Sequence, residues 1–415
     1  MTNRSLTDLP LDIVLCITDV LDPQGLIGLL QVLPWLVDWL PSRQITRSDA
    51  PRGNTVLHYL GRLSCREDNY HELCRRLLAR PEIDINVRNR RGFTPLAYAV
   101  SYSREKRPFN DPIIDMLLAR PDIQADKTGL HDTSPLMLAA GHGIARVVEK
   151  LIARDDVDVN LAGTTGFTAL MYACYEGQPK VVSILLAHPK TCTRNTDINL
   201  RTPLSYAAQS GNTLIVRMLL GLYHEPGPYT LTAEQVAFVN AACEAGRTPL
   251  LYAVLYGAHR TARLLLALPE VDVNTEDEFS LRTALSYAAE AGDAKMVAQL
   301  LARPDIVADR RDGVGRTPLS YAAAGGHLEV AKMLIENEQV DAGALDEDGR
   351  NPLVHALIAR NARLVRLIQK NMDWNSPYIR DTSGREPKDY ARLAGPEFEQ
   401  IVNCPRGVHI SELFG

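Results

Sequence analysis

The sequence predicts an all-α fold: a solenoid of stacked helical hairpins behind a short helical N-terminal segment. Three observations predict it. Segments of one pattern begin at Thr55, Thr94, Ser134, Thr168, Thr202, Thr248, Thr283, Thr317, Asn351 and, degenerately, Glu386, at offsets of 39, 40, 34, 34, 46, 35, 34, 34 and 35 residues. Each segment carries start and stop signals for two short helices. The composition, 46% apolar and 23% charged over 415 residues, suits a chain that buries a core.

The N-terminal element, "LTDLPLDIVLCITDVLDPQGLIGLLQVLPWLVDWLPSR" (Leu6–Arg43), reads as two or three short helices broken near Pro10, Asp22–Gly25 and Pro34. Asp12, Asp19 and Asp22 interrupt its apolar run, so it is neither a signal peptide nor a membrane span. The repeats follow, and "GRTPLSYAAAGGHLEVAKMLI" (Gly315–Ile335) is their type. Thr317 caps a first helix. Pro318 suits its first turn, where a missing N–H costs nothing. Ala322 and Ala323 let neighbouring helices approach, and Gly326 suits a left-handed exit. Val330, Leu334 and Ile335 form the apolar stripe of a second helix. "LLARPEIDIN" (Leu77–Asn86) and "LLALPEVDVN" (Leu265–Asn274) then lead into the next hairpin. One such unit cannot bury its own apolar face; stacking buries it.

A period near 33 with T-P-L-H-x-A is the ankyrin signature, and residues 51–394 resemble ankyrin repeats. The resemblance implies an ankyrin-repeat solenoid of about nine to ten repeats. The expected organisation is a helical F-box-like segment or cap at 1–50, repeats at 51–376, and a degenerate repeat with a C-terminal cap at 377–415. The N-terminal segment resembles the F-box in Leu9–Pro10, Asp12, Ile13, Ile17, Leu21, Asp22–Pro23 and the Leu-rich run to Val32. That resemblance implies docking of a cullin-RING ligase adaptor through Leu9, Pro10, Ile13, Ile17 and Leu21. The usual Lys or Arg of its second half is absent between Leu6 and Pro41. The other reading is therefore a plain cap, with Trp35, Leu36, Trp39 and Leu40 packed on the first repeat. The combination is similar to a group of fungal ankyrin proteins.

Several tempting fragments read as scaffold. "GHG" at Gly141–Gly143 and "GGH" at Gly325–His327 are helix exits, and "DDVD" at Asp155–Asp158 is an inter-repeat turn. Tyr98, Tyr172, Tyr206, Tyr252, Tyr287 and Tyr321 share one repeat position and are expected to form a packing ladder. Cys174 replaces a small Ala and reads as a buried thiol; His58 reads as a brace between hairpins. His131 falls on a tip. Seven scattered cysteines without a CxxC pair suit a reducing compartment, and the expected location is cytoplasmic or nuclear. A formal charge of −5, with basic runs confined to Arg88–Arg91 and Arg104–Arg107, points to neither nucleic acid nor membrane.

Specificity in a solenoid sits on the concave face. The expected binding residues at the ends of the first helices are Tyr102, Tyr175, Tyr256 and Glu290, with His142 and Glu176 on neighbouring repeats. Two insertions, near Tyr223–Ala237 and Ser101–Pro112, interrupt the period, and long loops in compact arrays are often functional. Two function classes fit. One is a protein-recognition module whose N-terminus recruits a ligase; the lack of a Walker loop, HExxH, GxSxG or Rossmann glycine motif agrees with it. The other, implied by the fungal resemblance, is a natural-product cyclase or hydrolyase-like enzyme acting on a small molecule. In it His142 and Glu176 are acid and base and the tyrosines orient substrate. No metal and no organic cofactor is expected in either.

Overall fold

The computed structural model describes residues 10–61, 68–103, 111–129, 132–222, 231–372 and 380–403. Leu9, His131, Cys65, Cys404, the Arg104–Arg107 run and most of both insertions lie outside the described residues. The chain divides into two compact units, Met1–Ile198 and Asn199–Gly415. Among the described residues there is no strand, only an isolated bridge between Glu276 and Thr283.

The first unit begins with α1 (Leu11–Val20), α2 (Pro23–Val32), a 3-10 segment (Pro34–Trp39) and α3 (Ser42–Ile45). Four hairpins follow: α4 (Val56–Leu60) with α5 (Asp68–Leu78), α6 (Pro95–Tyr102) with α7 (Asp111–Leu118), α8 (Pro135–Gly141) with α9 (Ala145–Ile152), and α10 (Ala169–Tyr175) with α11 (Pro179–Ala187). The second unit pairs α12 (Pro203–Gln209) with α13 (Thr213–Leu219) and inserts α14 (Ala233–Val239). It continues with α15 (Pro249–Leu255) and α16 (His259–Leu266), then α17 (Ala284–Glu290) and α18 (Ala294–Leu301). Its last pairs are α19 (Pro318–Ala324) with α20 (Leu328–Ile335), α21 (Pro352–Ile358) with α22 (Ala362–Asn371), and α23 (Pro387–Ala394) with α24 (Pro396–Asn403).

Helices this short do not persist alone. Their ends and their neighbours hold them. The hydroxyls of Thr94, Ser134, Thr168, Thr202, Thr248, Thr283 and Thr317 and the Asn351 amide oxygen each accept from the third helical N–H. First helices stack on first helices within a unit, as α8 on α10 and α17 on α19. Their Leu and Ala positions are buried: Leu319, Ala322 and Ala323 are 0% exposed. Each buried Leu contributes about 1.5–3 kcal/mol. Gly326 takes φ 73°, the left-handed exit. Arg360 holds the same place in its hairpin at φ 55°, without glycine's freedom.

Polar stitches join consecutive hairpins. The Arg of "LLAR" donates to carbonyls ending the previous second helix: Arg120 to Leu78, Arg154 to Leu118, and Arg303 to Leu266 and Leu268. The same guanidinium grips a carboxylate two residues on, as Arg154 does Asp156. "DDVD" is thus a turn, with Asp156 held by that arginine and Asp158 accepting from the Asn160 N–H. Arg80 treats the N-terminal segment as another repeat, donating to Val37 and Leu40 carbonyls. A second stitch uses Asn86, Asn160, Asn240 and Asn274. Each amide nitrogen donates to a carbonyl of the following loop, and each amide oxygen accepts from an N–H two residues beyond. At two equivalent places an acid replaces the amide. One oxygen of Asp126 accepts from the Asp158 N–H, and one of Asp309 from the Asp341 N–H. The other oxygen of each is buried and unpartnered.

The N-terminal helices divide their labour. α2 packs on α4 and α5, and the 3-10 segment packs on α5. Leu36 and Leu40 are buried there, but Trp35 and Trp39 are 42% and 61% exposed, contrary to the expectation that they pack on the first repeat. Leu33, Leu36, Val37 and Leu40 take the inward places of this segment, which leaves both tryptophans on its outer side. α1 is different: of its residues only Val14 and Thr18 are buried. Polar contacts hold it, with the Thr18 hydroxyl bonded to Gln44, the Gln44 amide to Asp19, and Arg47 to the Asp19 carbonyl.

Candidate recognition surface

The tyrosines of the repeat are anchors of the hairpin tips as well as packing groups. Tyr59, Tyr287, Tyr321 and Tyr390 donate their phenols to Asp49, Asp277, Asp312 and Asp381, and His355 meets Asp346 at 2.8 Å. Each acid also accepts tip N–H groups; Asp312 takes those of Val314 and Arg316 at 3.0 and 2.8 Å. Burial pushes the Asp277 carboxyl up, yet hydrogen bonds from Tyr287, Ser280 and the Arg282 backbone hold it below the usual carboxylate range. The Tyr321 phenol is pushed up to about 12 by burial and by the Asp312 bond. Such a phenol is no acid at neutral pH. His58 braces two hairpins as expected: one ring nitrogen meets Thr55 and the other the Phe93 carbonyl, and burial drops its pKa to about 4.

The second unit adds an arginine row. Arg201, Arg247, Arg282, Arg316, Arg350 and Arg385 each precede the capping residue of a repeat; the first unit has Asn54, Phe93, Thr133 and Phe167 there. Arg201 lies between the rings of Tyr206 and Tyr252, at 3.9 and 4.0 Å. Arg282 lies between Tyr287 and Tyr321, at 4.3 and 3.9 Å. Arg247, Arg316 and Arg350 reach the Asp of the following tip, at 3.6, 3.6 and 3.7 Å. The row was legible as a recurring R before T-P-L; reading only the cap overlooked it.

Within each unit the expected binding residues sit in different settings. Tyr102 and Tyr175 end α6 and α10 and are 44% and 46% exposed. The Tyr102 ring leans on Tyr98, centroids 4.8 Å apart. Tyr256, in the second unit, is 59% exposed beside the end of α15. Glu290 is not a free groove acid: Arg282 holds it at 2.6 Å. His142 and Glu176 are the C-cap residues of α8 and α10 and both are exposed. Their turns are neighbours, since a Cβ on Gly141 would lie 3.9 Å from the Glu176 side chain. Among the described residues no hydrogen bond joins the two. Cys174 is buried, and burial pushes its thiol far up.

The hairpin tips were expected to face the groove, but the residues that turn them were not legible in the repeat pattern. Two residues before each cap the chain turns left-handed, and glycine serves at Gly53, Gly92, Gly166, Gly246, Gly315, Gly349 and Gly384. At Gly166 even the space demands it, for a Cβ would meet Asp197 Cα at 2.7 Å. Leu200 and Leu281 adopt that turn with φ 60° and 53°. A non-glycine residue there costs about 1–2 kcal/mol. Their side chains are nevertheless 54% and 45% exposed, with Phe279 and Val314 exposed on the tips nearby.

Compared with known families, residues 106–197, 136–230, 190–277, 231–312 and 285–381 match Ankyrin repeats (3 copies). The matched span, 106 to 381, is more than half of the 415 residues. No curated protein matches the chain. Among solved structures, the ankyrin repeat domain of Bcl-3, titled a unique member of the IkappaB protein family, is similar at 23% identity. The match covers 57% of this chain and 98% of that one, with a TM-score of 0.47.

Proposed function

The chain belongs to the ankyrin-repeat family, and from that premise we propose that it recognises a protein partner through the hairpin tips and first-helix ends of its repeats. One observation carries the reading. Leu200 and Leu281 hold exposed apolar side chains on turns that favour glycine, which seven sister tips use. Strain retained where about half of each leucine stays open to solvent marks a contact made with something else. Phe279, Val314 and Tyr256 extend the apolar surface in the same unit. Apolar anchors on a rigid frame are what a protein interface needs.

The N-terminus supports a second part of the role, docking of a ligase adaptor. A cap is already supplied by α2 and the 3-10 segment. α1 contributes little burial, and it presents Pro10, Ile13 and Val20 to solvent with Ile17 and Leu21 half-buried. Ile13, Ile17 and Leu21 recur at helical spacing on one face. The enzymatic alternative has no comparable support. An acid and a base for small-molecule chemistry belong in a water-excluded site, and His142 and Glu176 are both exposed.

Affinity purification with the full chain tests both parts. Leu281→Gly with Phe279→Ala should lose the tip-bound partner while leaving stability unchanged or higher. Ile13→Asp with Ile17→Asp should lose only the ligase adaptor. An unchanged set of retained proteins from the tip variant refutes the recognition reading. Failure of the wild-type chain to retain the adaptor refutes the ligase role alone.

A further inference from the structure

Among the described residues of the second unit, every arginine has a carboxylate, carbonyl, amide or ring partner except Arg260, Arg263, Arg360 and Arg363. These four line two clefts, and the clefts occupy equivalent places: the exit turn of one hairpin facing the second helix of the next. One is lined by Ser210–Thr213, Arg217, Arg260, Arg263, Leu264 and Ala267 and holds about 700 Å³. The other holds about 640 Å³ and includes Arg360, Arg363 and Arg366. Its Glu397 lies 3.4 Å from Arg366. The first cleft has no acid in its lining.

Folding gives a reason for only one of these charges, since Arg263 lies in the last turn of α16, where the helix dipole favours a cation. Arg260 is the second residue of α16, where the helix dipole disfavours a cation. Arg263 sits three residues on, where a like charge is repulsive. Both are exposed and bury no core. The cleft opens where the period is stretched to 46 residues, and α13 meets α16 there through a Thr213–Thr261 hydroxyl pair at 3.1 Å.

We propose that the α13–α16 cleft is a binding site for a phosphate-class dianion, held by the guanidiniums of Arg260 and Arg263 with Arg217 at its wall. Guanidinium forks match phosphate oxygens bidentately, and a dianion neutralises the mutual repulsion of the arginines. The group comes either on a phosphorylated peptide or as a free small phosphate.

The test titrates the full chain with inorganic pyrophosphate, a phosphoserine peptide and its unphosphorylated form, at about 0.1 M salt so that screening does not mask the contact. Arg260→Ala with Arg263→Ala should weaken binding at least tenfold, and Arg363→Ala, in the other cleft, should not. Tighter binding of the phosphopeptide assigns a protein-borne ligand; tighter binding of pyrophosphate assigns a small one. The site is overturned if neither phosphate probe binds, if the double variant binds like the wild type, or if the unphosphorylated peptide binds equally well.

Discussion

Asp309 stands where its sister repeats use asparagine, and Asp309→Asn should stabilise the protein at neutral pH. In the sisters the amide nitrogen reaches a carbonyl of the next loop; the same spacing predicts the Gln339 carbonyl opposite the unpartnered oxygen of Asp309. Two oxygens cannot bond unless one carries a proton. Burial, with the Asp341 charge nearby, raises the Asp309 carboxyl to about 6; the Asp341 N–H and Arg311 oppose the rise. An unfolded Asp titrates near 3.9. The folded chain therefore holds a proton that the unfolded chain has lost, and stability falls as pH rises from about 4 through about 6. The full difference corresponds to roughly 3 kcal/mol, and solvent screening at this partly exposed site brings it to about 1–2 kcal/mol. Asn supplies the missing donor at every pH and contributes about 1 kcal/mol more as a made hydrogen bond. Urea midpoints of wild type and variant, measured from pH 4.5 to 8, check this. The variant should gain most above pH 6.5 and little at pH 4.5. A difference that stays flat across that range, or a variant less stable at pH 7.5, would show that the carboxyl does not oppose the carbonyl.

Other expectations follow from the same geometry. Stability linked to His58 runs the opposite way: its folded pKa of about 4 lies below an unfolded value near 6.5, so stability is full above 6.5 and falls as pH drops toward 4. His58→Gln should flatten that acid limb in pH-dependent melts. Arg360→Gly removes a left-handed arginine and should raise stability by about 1 kcal/mol, read as a higher thermal midpoint. Arg282→Lys loses a planar cation between two rings and should cost about 1–2 kcal/mol, measured against Arg282→Ala by denaturant melts. In the native chain an alkylating reagent should label the exposed Cys16 and Cys192 while sparing the buried Cys174, as peptide mapping would show.

Local grammar was enough to read the hairpins. A capping Thr, a proline at the first turn, paired alanines and an exit glycine each act within one helix, so their recurrence alone fixed where hairpins begin and end. The apolar stripe could not reveal that α1 is displayed while α2 caps, because both helices are equally oily and only packing chooses between them. Nor could the residue type of Glu290 reveal its arginine, or a leucine two residues before a cap reveal its left-handed turn. The tyrosine–aspartate anchors join a first helix to its own tip, 9 or 10 residues earlier, while the arginine row and the Asp309–Asp341 contact join neighbouring repeats. The sequence by itself determined a stack of α-hairpins, because capping and helix exit are short-range interactions. Which side chains are left exposed, charged without a partner or strained was decided by the tertiary structure, because each depends on what the neighbouring repeat places within a few ångströms.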